Sequence, residues 1–215
     1  MGPFATVEFY KNLLLYNKVD KDWLHPRTII DSNTQIPSRT RALLYNEISP
    51  VPSTISAIIN LHQAGADFVV LPCNQIHYWY KDVIENIPIP WVNMLKVVSS
   101  QVLKEDLSSP LVLGGYVTTS KKIYNPYLTK AKYPNQKEQQ IVEDAILCIK
   151  KTNSLSKKLQ YQILSFIQRK KDIDSVIFAC TELNKDVLNI LDYTTFNSSK
   201  IYAKETLRIA LEETI

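Results

Sequence analysis

The chain is poor in the residues that most often advertise a function: its 215 residues include four glycines, three cysteines and three histidines. Four glycines are few for an alternating α/β protein, whose turns usually use them. Three widely spaced cysteines exclude a disulfide framework and make a reducing, cytoplasmic setting the default. No apolar run approaches the ~20 residues that span a bilayer; the longest, such as residues 68–72, are strand-sized. The start lacks the basic region and apolar stretch of a secretory signal. Neither sign of charge dominates. The formal net charge is +4, with Lys and Arg dispersed along the chain, which argues for neither nucleic acid nor a membrane as partner. That balance is at most compatible with an anionic small molecule, and a solvated surface explains it equally well.

What is present is an ordinary globular composition, 45% hydrophobic and 21% charged, long enough to bury a sizeable core. Helical periodicity predicts helices over residues 4–15, 53–63, 78–87, 120–128, 137–151, 155–170, 182–191 and 201–213. Short runs rich in Val and Ile predict strands over 27–30, 68–71, 91–94, 111–113 and 175–179. Alternating elements with continuously apolar strands define an α/β fold with mainly parallel sheets covered by helices. The Lys-rich stretch around Lys150, Lys151, Lys157 and Lys158 reads as a solvated helix face.

The main clue is an internal repeat. Asp67-Phe68-Val69-Val70-Leu71-Pro72-Cys73-Asn74 aligns without a gap on Asp174-Ser175-Val176-Ile177-Phe178-Ala179-Cys180-Thr181. Each copy is an Asp, a buried strand, and a Cys followed by a polar residue that can begin a helix. A repeat at this long period indicates duplicated halves rather than a solenoid. Each Cys falls at the carboxyl end of a strand, where open α/β sheets bind ligands, and just before a helix start, where thiolates are favoured. Either cysteine taken alone is as readily a small core hydrophobe as a reactive thiol; the matched pair is harder to attribute to chance. The third, Cys148, lies in an apolar stripe with Ala145 and Ile149 and reads as core. No spacing of Cys or His supplies the ligands of a zinc site.

At these residues the sequence resembles the aspartate/glutamate racemase family. Pro72-Cys73-Asn74-Gln75-Ile76-His77 is similar to its first signature and Ala179-Cys180-Thr181-Glu182-Leu183 to its second. Ile36-Pro37-Ser38-Arg39-Thr40 resembles a segment of the aspartate racemase branch, and Met1-Gly2-Pro3-Phe4-Ala5-Thr6 the end of the family's opening motif. The resemblance implies two pseudo-symmetric α/β halves, residues 1–94 with 198–215 and residues 95–197, with the active site in the cleft between them. It implies a homodimer that needs no pyridoxal phosphate, no other cofactor and no metal. Cys73 and Cys180 would be catalytic, one thiolate removing the α-proton of an amino acid and the opposite thiol returning one to the other face. Racemisation needs such a base and acid on opposite faces of Cα. By motif match Asn74 and Thr181 would hold the α-carboxylate and amino group, and Arg39 the side-chain carboxylate. Gln75, Thr118, Lys150 and Glu182 complete the expected substrate contacts, with Met1 and His77 in supporting roles.

The departures from the family pattern bear on substrate choice more than on reaction type. Gln75 replaces a Thr, Ser38 an Asp and Ala179 a Gly; Gly115 stands where a Thr is expected; Lys96 and Asn197 occupy acidic positions. The family's first strand, central in the first half's sheet, has no counterpart in this sequence, which would leave neighbouring backbone groups without partners. The expected substrate is aspartate or a related acidic amino acid. The rivals are a broad-specificity or hydantoin-type racemase, a non-catalytic protein that binds an acidic ligand, and a thiol-redox protein cycling a Cys73–Cys180 disulfide. One-cysteine decarboxylase relatives are disfavoured because both cysteines are present.

Overall fold

The computed structural model describes residues 2–152, 154–181, 183 and 193–212. They gather into two compact units, Met1–Val97 with Ser199–Ile215, and Val98–Ser198. Among the described residues no helix is long and apolar enough to cross a membrane.

The second unit is built on a parallel sheet. Strands β1 (Pro110–Gly114), β2 (Ser175–Ala179) and β3 (Thr194–Asn197) lie in the order β1-β2-β3. The register pairs Gly114 with Ala179 and Phe178 with Asn197. A bridge between Leu111 and Lys132 extends the outer edge of β1. Every residue of β1 and β2 is buried, as a parallel sheet covered on its faces requires. The covering layer includes α7 (Gln136–Thr152) and α8 (Lys157–Gln168). Their apolar stripes, Val142, Ala145, Ile146 and Ile149 on one and Ile163, Phe166 and Ile167 on the other, close over Leu111, Leu113, Val176 and Phe178. Ser156 caps α8 by accepting from the Leu159 amide. Gly114 is required where β1 meets β2: a Cβ there would lie 2.8 Å from the Ala179 carbonyl oxygen.

The first unit contains α1 (Pro3–Tyr16), α2 (Arg39–Tyr45), α3 (Val51–Gln63), the short α4 (Tyr80–Ile84) and most of α9 (Ser198–Glu212). Helix α5 (Met94–Lys104) carries the chain from this unit into the next, and α6 (Tyr116–Ser120) follows β1. The core of the first unit is Ile58, Val69, Leu71, Ile76, Val83, Ile89 and Trp91.

Three expected strands of the first unit do not form as ladders. Residues 68–71 are paired only by a single bridge, in which Val69 donates to Pro90 and accepts from the Val92 amide. That bridge is all that remains of the expected strand 91–94, since Met94 already begins α5. Residues 27–30 form no strand. Both segments border open space. A cavity of about 290 Å³ is lined on one side by Arg27, Thr28 and Ile29 and on another by Phe68, Val69 and Val70. A second, of about 110 Å³, shares Ile29 and Val70 with it. Among the described residues, the backbones of residues 28–31 and of Phe68 and Val70 make no backbone hydrogen bond. A strand is defined by its partner, and among the described residues these segments line a cavity rather than a ladder.

Several helices also differ from expectation. The stretch 78–87 is a 3₁₀ turn, Asn74–Trp79, that continues into α4. The region 120–128 is turns rather than helix, because Lys122 is left-handed (φ 48°) and Pro126 lacks an amide hydrogen. Cys148 is half-buried, with its Sγ 3.5 Å from the Ser154 carbonyl oxygen, and not in the core; it sits at the margin of the stripe whose centre is Val142, Ala145, Ile146 and Ile149. The expected helix 182–191 lies outside the described residues. Helices α2 and α5 and strand β3 were not anticipated.

Candidate active site

In the first unit the candidate residues collect around the turn that follows residues 68–72. Cys73 is extended (φ −150°, ψ 112°), half-buried and a free thiol, and it is the residue before the 3₁₀ turn. Its backbone is held from two sides. The Cys73 amide donates to the Leu71 carbonyl at 2.7 Å, and its carbonyl accepts from His77 Nδ1 at 2.9 Å. His77 Nε2 accepts from the Met94 amide at 3.1 Å. Because a backbone amide can only donate, Nε2 is the bare nitrogen and Nδ1 carries the proton. Burial pushes His77 down to about 4, against the opposing effect of the Cys73 carbonyl, so the ring is a neutral clamp at pH 7. It packs 4.7 Å from the Trp91 ring. Tyr202 of α9 fixes the same turn from behind: its hydroxyl donates to the Val92 carbonyl and accepts from the Leu71 amide. Burial raises Tyr202 well above its ordinary value, so it stays protonated.

Arg39 opens α2, whose N-cap Ser38 accepts from the Arg41 amide. Its Nη1 donates to the Pro37 carbonyl at 3.1 Å. Its Nε is buried without a hydrogen-bond partner, and no described carboxylate lies within ion-pair distance of it. Thr40 Oγ1 donates to Gln75 Oε1 at 3.2 Å, so the helix bearing Arg39 is joined to the turn bearing Cys73. Asn74 is buried at the start of that turn.

In the second unit Cys180 directly follows β2. It is half-buried and a free thiol, and its carbonyl accepts from the Leu183 amide at 3.2 Å. Thr181 beside it is half-buried. Thr118 is fully buried in α6, its Oγ1 without a partner, and its Cγ2 is 3.1 Å from where a Cβ on Gly114 would stand. Gln139 Nε2 donates both to the Gly114 carbonyl and to Glu143 Oε1. Burial raises Glu143 above the usual carboxylate range, opposed by its bonds from Gln139 and the Tyr116 backbone and by the charge of Lys150. Lys150 itself is exposed in the last turn of α7, about 16 Å along the helix axis from Gln139 at a rise of ~1.5 Å per residue. Met1 and Glu182 lie outside the described residues. Among the described residues no group of three or more His, Cys, Asp or Glu is arranged to hold a metal.

The structure thus joins Arg39, Thr40, Gln75, Cys73 and His77 in one unit, and Thr118, Gly114 and the Cys180 turn in the other. Tyr202, Thr40, Gln139 and Glu143 were missed. The last two had a readable signal, a Gln–Glu pair one helical turn apart. Tyr202 had none, because its partners are far away in sequence.

A half-buried thiol follows the buried strand β2 of this α/β protein, and a second stands at the equivalent sequence position in the first unit. The chain belongs to the Asp/Glu/hydantoin racemase family, whose model matches residues 1–195, and family membership makes it an isomerase. It is 24% identical over 215 residues, covering 96% of this chain and 93% of the other, to the broad-specificity amino-acid racemase RacX of Bacillus subtilis (strain 168). Among solved structures it is similar to the aspartate racemase of Picrophilus torridus, with a TM-score of 0.83, 26% identity, and coverage of 97% of this chain and 90% of that one. It also shares its fold with an aspartate racemase homologue from Pyrococcus horikoshii, at a TM-score of 0.75 and 21% identity over 97% of this chain and 94% of that one.

Proposed function

We propose that this racemase interconverts the enantiomers of aspartate or a related acidic amino acid with two thiols, Cys73 and Cys180. The reading rests on one observation: a free, half-buried cysteine ends each of two matched apolar segments, one in each unit. One thiolate takes the α-proton and the other thiol donates to the opposite face of Cα. The roles exchange with the handedness of the substrate. The carbanion character that develops needs donors at the α-carboxylate, for which Asn74 and Thr181, each beside a cysteine, are the candidates. Arg39 suits the side-chain carboxylate, since its guanidinium has no carboxylate partner among the described residues. Thr118 and Lys150 are further candidate contacts. His77 acts through the Cys73 backbone. It holds the turn rather than relaying protons, because both its nitrogens are engaged and it is neutral.

A broader substrate range is the second reading, favoured by the likeness to a broad-specificity amino-acid racemase. The test is α-proton exchange in D₂O with L-aspartate, L-glutamate and neutral amino acids, followed by NMR and chiral chromatography. Exchange with appearance of the D-isomer is expected, falling at least about 10³-fold in both Cys73→Ala and Cys180→Ala. Wild-type protein that is folded and exchanges nothing would overturn the proposal in favour of a binding protein.

A further inference from the structure

The turn that ends strand β1 is held by side chains of a helix. Gln139 of α7 donates from Nε2 to the Gly114 carbonyl at 3.0 Å and to Glu143 Oε1 at 2.9 Å. With both amide hydrogens spent, its Oε1 stays buried without a partner, so the amide is oriented for its nitrogen. Glu143, one helical turn further on, also accepts from the Tyr116 amide. Two side chains of α7 thus hold both ends of the turn Gly114-Gly115-Tyr116. Gly114 in turn is paired with Ala179 in the ladder. A Cβ on it would stand 2.8 Å from the Ala179 carbonyl oxygen and 3.1 Å from Thr118 Cγ2. Ala179 is the residue before Cys180, and in packing this close a shift of Gly114 is passed on to it. The Cys73 turn of the first unit is held differently, by His77; the sequence has Asn184 at the equivalent place after Cys180.

We infer that Gln139 and Glu143 are positioning residues that place Cys180, and of the two matched thiols Cys180 alone, for its proton transfers. The inference rests on the two-thiol racemase reading. Racemisation moves one proton from Cα to a thiolate on one face and another from a thiol to Cα on the other. A misplacement of ~1 Å is worth about 10²-fold in rate. Loosening the Gly114 turn therefore slows only the steps at Cys180, which are proton removal from one enantiomer and proton delivery to form it. A general loss of packing slows both thiols alike or lowers the share of active protein.

The test compares wild type with Gln139→Leu and Glu143→Leu, which remove the bonds, and with Glu143→Gln, which keeps an acceptor oxygen. The first readout is the primary deuterium isotope effect on kcat/KM for L- and D-aspartate labelled at Cα. In the Leu variants kcat/KM should fall about ten- to a hundred-fold, equally for both enantiomers because they are equal in energy. The isotope effect should rise for the enantiomer that gives its deuteron to Cys180. For the other it should fall toward unity, since its labelled step no longer limits the rate. The second readout is alkylation by iodoacetamide, followed by mass spectrometry of each cysteine peptide. Its rate should change at least about three-fold at Cys180 and keep its wild-type value at Cys73 and Cys148. Glu143→Gln should match wild type in both readouts. Isotope effects that stay as in wild type or move together would overturn the inference, as would unaltered alkylation of Cys180. A change shared by Cys148, on α7 itself, would mark a general loosening and overturn it too. If wild type racemises nothing, yet Cys180 alone changes its alkylation in the Leu variants, the positioning holds and the racemase reading falls.

Discussion

Residues 67–74 and 174–181 align without a gap, yet they end in different structures. In the second copy Asp174 accepts from the Ser108 and Ser109 amides at 2.7 and 2.8 Å, and the apolar run is the central strand of a parallel sheet. Burial works to raise Asp174, but those amides and the Ser175 hydroxyl outweigh it and hold the carboxyl below its usual range. In the first copy Asp67 is exposed, and the run is tied to its neighbour at Val69 alone. The lesson is that the same local pattern yields a ladder only where another backbone lies at strand spacing. In the first unit the same run lines a cavity.

The largest effect that would sharpen this comparison comes from equivalent core positions. Ile177 is fully buried within the ladder, whereas its counterpart Val70 is half-buried and lines both cavities. Ile177→Ala is expected to cost about 3–4 kcal/mol in denaturant unfolding, and Val70→Ala under about 1 kcal/mol. Native-state hydrogen exchange should agree, with the Ile177 amide at least about 10³-fold more protected than that of Val70. Equal protection would mean that the first copy is paired in solution after all.

Acid offers the next contrast. His77 is held below its unfolded value, so above pH ~6.5 both states are neutral. As the pH falls from there to about 4, the unfolded chain gains a proton that the native one refuses. Stability is therefore full above about 6.5 and is lost on the way down, by about 3 kcal/mol for that shift. The Tm of His77→Gln, already lower at pH 7, should lack this part of the slope. A slope identical to wild type would refute the neutral clamp.

The two leading aspartates give a smaller difference. Asp174→Ala leaves the Ser108 and Ser109 amides without their acceptor and should cost about 1–3 kcal/mol, whereas Asp67→Ala should stay within about 0.5 kcal/mol. Thermal unfolding of the two variants side by side checks this. The smallest effect is at Glu143, which burial holds above its ordinary value. A raised carboxyl contributes stability below its unfolded pKa that is lost as the pH rises through the folded one. Relative to wild type, Glu143→Gln should therefore gain a few tenths of a kcal/mol between acid and neutral pH. A Tm difference that does not grow with pH would contradict it.

Much of this molecule was legible beforehand for identifiable reasons. The helices α1, α3, α7, α8 and α9 carry their own hydrogen bonds and announce themselves by periodic apolar residues such as Val142, Ala145 and Ile149. The strands β1 and β2 were readable because burial on both faces leaves unbroken apolar runs. Helix α5 carries a comparable stripe, Met94, Leu95, Val98 and Val102. Of the candidate site, the motif residues are legible because they cluster in sequence around Cys73 and Cys180. The Thr40–Gln75 bond, the Tyr202 hydroxyl on the Leu71 turn and the bare Nε2 of His77 are not, since each depends on a partner far along the chain.

The sequence by itself determined the α/β class, the helix faces, the family and the two cysteines, because these follow from residue type, period and spacing. The tertiary structure alone decided which apolar run became a strand, which tautomer His77 holds and which end of the Gln75 amide is committed. Each of those is a hydrogen bond between distant segments, and a hydrogen bond exists only where folding brings donor and acceptor within about 3 Å.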